Sequence, residues 1–117
     1  MEWQLSMLNS APYHAIADPN RRKILDLLRD QGPLRAGQIV AQLTHISQPA
    51  VSKHLRILRE AKLVCAVPDG RERSYYLHTE TLRQIVEWLL HYDSLWDSRL
   101  ATLKQLAEQA EPTGDIG

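Results

Sequence analysis

One cysteine, Cys65, is the only thiol in this chain of 117 residues. An intrachain disulfide is excluded, and the composition fits a reducing cytoplasm. No apolar run approaches the roughly 20 residues of a membrane-spanning helix. The stretch Met1-Glu2-Trp3-Gln4-Leu5-Ser6 has no basic segment followed by an apolar one, so no secretory signal is expected and the expected location is cytoplasmic. Internal repeats and low-complexity tracts are absent. No Gly-rich phosphate loop, Ser/His/Asp spacing or carboxylate pair stands out, so an enzyme is not expected, and neither is a cofactor. Net charge is missing too: 14 Lys and Arg meet 14 Asp and Glu.

That neutrality conceals an asymmetry. Residues 18–78 hold eleven Lys and Arg against six Asp and Glu, a balance of +5, and the remainder carries −5. A basic working face on an otherwise neutral protein points to an anionic partner such as nucleic acid. Apolar residues make up 44% of the chain, as in a globular protein. The length suits one domain with a modest core.

The elements follow from periodicity and punctuation. Residues 5–17 read as a short helix with Leu5, Leu8 and Ile16 apolar, interrupted near Pro12. Asp18-Pro19 starts a second helix, Asp as N-cap and Pro at the first helical position. Ile24, Leu25, Leu27 and Leu28 form its buried stripe, and Gln31-Gly32-Pro33 ends it. Residues 36–43 form a third helix with Ile39, Val40 and Leu43 inward, and Thr44-His45-Ile46 is a turn. Residues 47–61 then form a fourth helix. Residues 63–78 read as a two-stranded hairpin around Asp69-Gly70-Arg71-Glu72. Residues 80–109 contain no Pro or Gly and read as one long helix, before a flexible tail over 110–117. The chain is expected to be one mainly α domain over 1–109.

The fourth helix carries the sharpest signal. Val51, Leu55, Leu58 and Leu63 recur at helical spacing and bury one side. Gln48, Ser52, Lys53, Arg56 and Arg59 occupy the other, and Ser47 is the expected N-cap. Short polar and cationic groups on an exposed helix face suit a DNA major groove: Arg and Lys reach phosphate and guanine, and Gln reaches adenine. Such a face alone also describes an ordinary surface helix. A basic hairpin directly after a helix–turn–helix makes the composite far more specific. Arg71 and Arg73 project from that hairpin, where Gly70 permits close backbone approach. His54 borders both faces and either donates to a phosphate or fixes the helix internally. Arg21, Arg22 and Lys23 are candidate phosphate contacts but read by default as a solvated charge run.

Three separated motifs, in order, resemble the ArsR family of bacterial winged helix-turn-helix regulators. Asp18-Pro19-Asn20-Arg21-Arg22-Lys23-Ile24-Leu25-Asp26-Leu27-Leu28 is similar to the family's second-helix motif. Ser47-Gln48-Pro49-Ala50-Val51-Ser52-Lys53-His54-Leu55 with Leu58-Arg59-Glu60-Ala61 is similar to its recognition helix, and Gly70-Arg71 with Tyr75-Tyr76-Leu77 to its wing. The resemblance covers about residues 12–105. It implies a homodimer that represses transcription by occupying an operator, with an effector that usually loosens DNA binding. The chain departs from the family's metal sensors: the helix before the turn has no Cys pair. The positions matching the sensors' ligands on the last helix are Thr79, Thr81, Tyr92 and Leu95, none a usual zinc ligand. Arg35 stands where Ser or Thr commonly caps the third helix. The run Glu87-Trp88…Tyr92…Trp96…Arg99-Leu100 is similar to a branch without a recognised metal site.

The last helix also argues for a dimer on physical grounds. Leu82, Val86, Leu89, Asp93, Trp96, Leu100, Leu103 and Ala107 are spaced alternately by four and three. Ile85, Trp88, Tyr92, Leu95 and Leu106 make a second row. One helix of this length would run roughly 45 Å, more than so small a domain can cover. The expected interface comprises Leu5, Leu8, Leu82, Val86, Leu89, Trp96, Leu100 and Leu103. Asp93 breaks the seam, either paired with a base such as Arg99 or facing solvent. Trp88 and Trp96 read as interface packing rather than as an aromatic effector pocket. Glu87 and His91 lie four apart, but two ligands do not make a metal site. Cys65 reads as a small buried hydrophobe.

The expectation is a sequence-specific regulator of transcription that binds double-stranded DNA at a palindromic operator as a homodimer. Its DNA-binding residues are expected to be Ser47, Gln48, Ser52, Lys53, His54, Arg56, Arg59, Arg71 and Arg73. An unidentified signal is expected to release it, a small-molecule effector being one candidate, with no metal and no membrane partner. The rivals are a winged-helix protein-interaction module without DNA binding and a metal-responsive repressor with an atypical site.

Overall fold

Asp18 and Pro19 begin the element on which the fold is built. Asp18 has an extended backbone, and its Oδ1 accepts hydrogen bonds from the amides of Asn20 (2.8 Å) and Arg21 (3.1 Å). Pro19 has no amide to satisfy there, so the helix starts without an unpaired donor. In the computed structural model, which describes residues 10–109, this helix is α2 (Pro19–Gln31), and α1 (Ala11–Ile16) precedes it. Among residues 93–100, the side chains of Ser94, Trp96, Asp97, Ser98 and Leu100 lie outside that description, as do Leu5 and Leu8 in full.

The chain continues through β1 (Leu34–Arg35), α3 (Ala36–Gln42), α4 (Gln48–Glu60), β2 (Val64–Asp69), β3 (Glu72–Leu77), α5 (Thr79–Leu90) and α6 (Asp93–Gln109). The mainly α winged helix expected from the sequence is observed. The sheet differs from the expected one. The expected two-stranded wing has a third member, because β1 pairs with β3 in an antiparallel sheet of order β1-β3-β2. Leu34 lies opposite Tyr75 and Arg35 opposite Ser74, a two-residue strand too short to show a period. Pro12 stands in the first turn of α1, where its missing amide costs nothing, and residues 5–9 of the helix expected over 5–17 lie outside the described residues.

The described residues fall into two compact units, one ending at Ile85 and one beginning at Val86. The first has a continuous core. Ile24, Ile39, Leu43, Val51, Leu58 and Leu63 are fully enclosed, one or more from each of α2, α3 and α4. Tyr75 of the sheet and Ile85 of α5 are also buried, so the sheet and the start of α5 close the same core.

The single long helix expected over residues 80–109 is instead two helices, α5 and α6, separated at His91–Tyr92. The side chain of His91 explains the break. Its Nδ1 lies 2.8 Å from the carbonyl oxygen of Glu87, the acceptor a continuing helix would offer to the His91 amide. That amide bonds Trp88 O (3.2 Å), and the Tyr92 amide bonds Leu89 O (3.0 Å), a tight closing turn. Asp93 then opens α6, where a carboxylate in the first turn is favoured by the helix dipole. Asp93 is thus a helix-start residue rather than a mid-helix break in a seam. Within this second unit the Trp88 and Tyr92 rings meet edge to face, centroids 5.7 Å apart.

Candidate nucleic-acid interface

The face that could meet DNA is built by α4. Ser47 Oγ accepts from the Ala50 amide (3.2 Å), and Ser47 O accepts from the Val51 amide (3.0 Å), as an N-cap should. Pro49 sits within the first turn, where its missing amide is harmless. Val51, Leu55 and Leu58 are buried, so the helix cannot roll. Gln48, Ser52, Lys53 and Arg56 are left exposed together on the opposite side, and Arg59 is half-buried.

The C-terminal end of α4 is closed by a six-residue capping arrangement. The Leu63 amide donates to Leu58 O (2.9 Å) and the Lys62 amide to Arg59 O (3.0 Å). Lys62 has the left-handed backbone (φ 61°) this motif requires, at a position where glycine is usual. The non-glycine residue there costs about 1–2 kcal/mol. Burial of Leu63 against the core helps offset it.

Arg21 fixes α4 from behind. Its side chain is only 7% exposed. Nε donates to Ala15 O (2.7 Å), one terminal nitrogen lies 3.3 Å from His14 O, and the other lies 3.2 Å from His54 Nδ1. Arg22 adds a bond to Ile16 O (2.7 Å). The last carbonyls of a helix have no intrahelical partners. Arg21 and Arg22 therefore cap α1, and Arg21 also reaches across to the recognition helix. A guanidinium only donates, so His54 Nδ1 is the acceptor and the neutral ring carries its proton on Nε2. His54 thus makes the internal contact through Nδ1, and its Nε2–H is left as a second donor. The burial of Arg21 also corrects the reading of residues 21–23 as a solvated charge run: only Arg22 and Lys23 are exposed. Burial raises the pKa of the Asp18 carboxyl, but the hydrogen bonds from the Arg21 and Asn20 amides and the nearby Arg21 charge outweigh it, leaving the pKa below its ordinary value.

The wing is held beside its turn. Asp69 pairs with Glu72 across a two-residue turn of Gly70 (φ 66°) and Arg71. A positive φ at the first central residue alone is the pattern of a II′ hairpin. Arg71 and Arg73 are exposed. Beside the turn, Glu72 Oε1 accepts from the Gly37 amide of α3 (2.8 Å). Arg35, at the N-cap of α3, has no acceptor to offer, so Glu72 caps that helix from the sheet. The Arg35 amide bonds Gln38 Oε1 (2.8 Å), and its guanidinium meets Asp69 at 3.2 Å. A side chain at position 37 would stand 3.0 Å from the Glu72 carboxylate, which favours glycine there.

Cys65 is half-buried rather than enclosed. It faces Tyr76 across the hairpin, and its sulfur lies 3.5 Å from His78 Nδ1. The hydrogen bond to Cys65, its charge and burial raise the Tyr76 pKa above its ordinary value. Among the described residues no group of three or more His, Cys, Asp and Glu is placed to hold a metal ion. The two possible ligands Glu87 and His91 meet through a backbone carbonyl instead. Of the expected interface residues, Leu82 and Leu89 are half-buried, Val86 is 51% and Leu103 59% exposed. Leu5, Leu8 and the side chains of Trp96 and Leu100 lie outside the described residues.

Comparison with known proteins agrees with this geometry. The family model described as "Bacterial regulatory protein, arsR family" matches residues 18–65, from the α2 cap into β2. The chain is 40% identical to the transcriptional repressor SdpR of Bacillus subtilis, covering 75% of this chain and 96% of that protein. The chain belongs to the ArsR family of transcriptional regulators. A second relative, the HTH-type transcriptional regulator Rv2034 of Mycobacterium tuberculosis, is 38% identical over 82% of this chain and 85% of its own length. An ArsR-like transcriptional regulator from Rhodococcus superposes with a TM-score of 0.61 at 32% identity, covering 84% of this chain and 91% of that one. ArsR regulators bind DNA, a non-enzymatic role. No helix among the described residues is long and apolar enough to cross a membrane.

Proposed function

We propose that this ArsR protein is a cytoplasmic repressor. In this reading a homodimer places α4 of each subunit in the major groove of one half of a palindromic operator, and a signal releases it. The observation that carries the reading is the α4 surface: Gln48, Ser52, Lys53 and Arg56 exposed together on a helix whose other face is locked into the core. Gln48 and Ser52, with Lys53 or Arg56, supply base contacts and register. Arg59, Arg71 and Arg73 supply phosphate or minor-groove contacts. Ser47 shapes the helix start, and His54 acts by positioning α4 through Arg21. The name of the relative SdpR, a transcriptional repressor, supports the sign of regulation.

The apolar surface of the second unit supports the dimer. Leu90 is 58%, Leu103 59% and Leu106 55% exposed, side chains that gain about 25 cal/mol per Å² when water is removed. In a two-fold dimer the half-sites lie about 34 Å apart, one helical turn of DNA. The test is selection of bound sequences from a random duplex pool, with sedimentation of the free protein. The expected result is an inverted repeat at that spacing bound by a dimer. A folded monomer, or retention of no sequence over the starting pool, refutes the reading in favour of an interaction module.

A further inference from the structure

The outer part of the hairpin is a two-stranded ribbon. β1 pairs with β3 at Tyr75 and Ser74, and the third strand ends there. Further out, Pro68 faces Arg73 and Asp69 faces Glu72, with no third strand beside them among the described residues. A two-stranded ribbon is marginal in water by itself, and its twist varies more than that of a wider sheet. Arg71 and Arg73 sit on this part of the hairpin. A side chain that has to be ordered on binding delivers less affinity than one already in place.

Two carboxylates of the ribbon reach α3. Glu72 Oε1 lies 2.8 Å from the Gly37 amide, and Asp69 Oδ2 lies 3.2 Å from Arg35 Nε. One tie leaves from β3 and the other from β2, so both strands are held. Their strengths differ. The Arg35–Asp69 pair is half exposed on both sides and contributes little alone. The Glu72 bond satisfies a first-turn amide that has no acceptor within its own helix, so it is the main tie. Gly37 has no side chain to hold the carboxylate off, since a Cβ there would stand 3.0 Å from Oε1. Ile39 of α3 and Leu43 just after it are enclosed in the core that also holds Val51 and Leu58 of α4. A wing tied to α3 therefore keeps a fixed distance from α4. We propose that Glu72, helped by Asp69, latches the wing to the helix–turn–helix and so positions Arg71 and Arg73 for DNA. This inference rests on the DNA-binding reading above.

Charge and position predict opposite signs for Glu72. A carboxylate beside a phosphate-binding turn repels the DNA, so by charge alone its removal tightens binding. As a latch, its removal loosens binding. Glu72→Gln drops the charge but keeps an oxygen that accepts from the Gly37 amide. Glu72→Asp keeps the charge but is one methylene too short to hold the same bond.

The test measures the affinity of the full-length protein for a selected duplex in wild type and the three Glu72 variants, each with and without Arg71→Ala. Circular dichroism first establishes that each variant is folded at the assay temperature, and Glu72→Asp stands in if Glu72→Ala is not. Glu72→Ala should bind about tenfold more weakly although it has lost an acidic charge. Glu72→Asp should also bind more weakly, and Glu72→Gln should restore wild-type affinity or better. Arg71→Ala should cost about threefold less in the Glu72→Ala background than in wild type, because the wing there no longer places it. Amide exchange over residues 69–73, read by NMR without DNA, should quicken in Glu72→Ala and Glu72→Asp but not in Glu72→Gln. Glu72→Ala binding as tightly as wild type or more so overturns the latch. So does Glu72→Gln binding as weakly as Glu72→Ala, or an Arg71→Ala effect equal in both backgrounds. If wild type binds no duplex at all, the DNA-binding reading falls with the positioning role. The exchange rates then decide the latch itself, and equal rates in all four proteins overturn it.

Discussion

Replacing Arg21 should do more damage than any other single charge change in the first unit. The guanidinium is almost enclosed and donates to Ala15 O at 2.7 Å, with His14 O and His54 Nδ1 at 3.3 and 3.2 Å. A hydrogen bond with one charged partner contributes about 1.5–3 kcal/mol net. The His14 carbonyl keeps a second partner in the Ala17 amide (3.2 Å), so its loss is partial. Ala15 O and His54 lose their Arg21 bonds outright. Arg21→Met, which fills the space without donating, should therefore cost about 3–4 kcal/mol. That is a large fraction of the roughly 5–15 kcal/mol available to a domain. Arg21→Lys should recover little, because an ammonium cannot span three acceptors in a fork. Urea unfolding followed by circular dichroism measures the loss as a change in midpoint. A double-mutant cycle with His54→Ala should show coupling of about 1 kcal/mol or more between the two sites. A loss under 1 kcal/mol with no coupling would refute the clamp and return Arg21 to the solvated surface.

Glu72→Ala removes the cap on the Gly37 amide and should cost about 0.5–2 kcal/mol in the same assay, with faster amide exchange at Gly37. Asp18 has a pKa held below its ordinary value, so its contribution is fully present above the unfolded pKa and is lost as pH falls through the folded one. Asp18→Asn should therefore be less stable than wild type at neutral pH, and the difference should shrink on acidification below about pH 4. Equal pH dependence of the two proteins in urea titrations would contradict that assignment. His91→Ala frees the Glu87 carbonyl for the backbone and should raise the helix content read by circular dichroism by a few residues, as α5 and α6 merge.

The parts legible in the sequence are those fixed by neighbours along the chain. Asp18-Pro19, Ser47 with Val51, Leu55 and Leu58, and the Gly70 turn each combine a cap or turn residue with a period, and each is observed where those signals place it. What stayed hidden depends on residues far apart. Glu72 caps Gly37 from 35 positions away, and Arg21 reaches His54 across 33. The charge of Arg21 argued for solvent, and only its placement behind the end of α1 and beside α4 buries it. β1 exists through its pairing with β3 and has too few residues to announce itself. The α5–α6 break is local but turns on a side-chain rotamer of His91, with Asp93-Ser94 as the one sequence clue to a new start. Lys62 takes a backbone that sequence rules assign to glycine or asparagine, and no residue type marked it.

The central claim is that the exposed face of α4 reads DNA while the wing anchors it. The most direct measurement is a titration of a selected inverted-repeat duplex over a range of salt concentrations, with wild type, Gln48→Ala, Arg56→Ala and Arg71→Ala. Gln48→Ala should lose about 1–3 kcal/mol per contact, in both half-sites, and relax preference at one base pair in each. Arg71→Ala should weaken all sequences alike and flatten the salt slope by about one unit per subunit. Arg56→Ala should reduce affinity by one of these two signatures, which assigns its contact to base or phosphate. Affinity and salt slope unchanged in all three variants would show that α4 and the wing are not the DNA-binding surface.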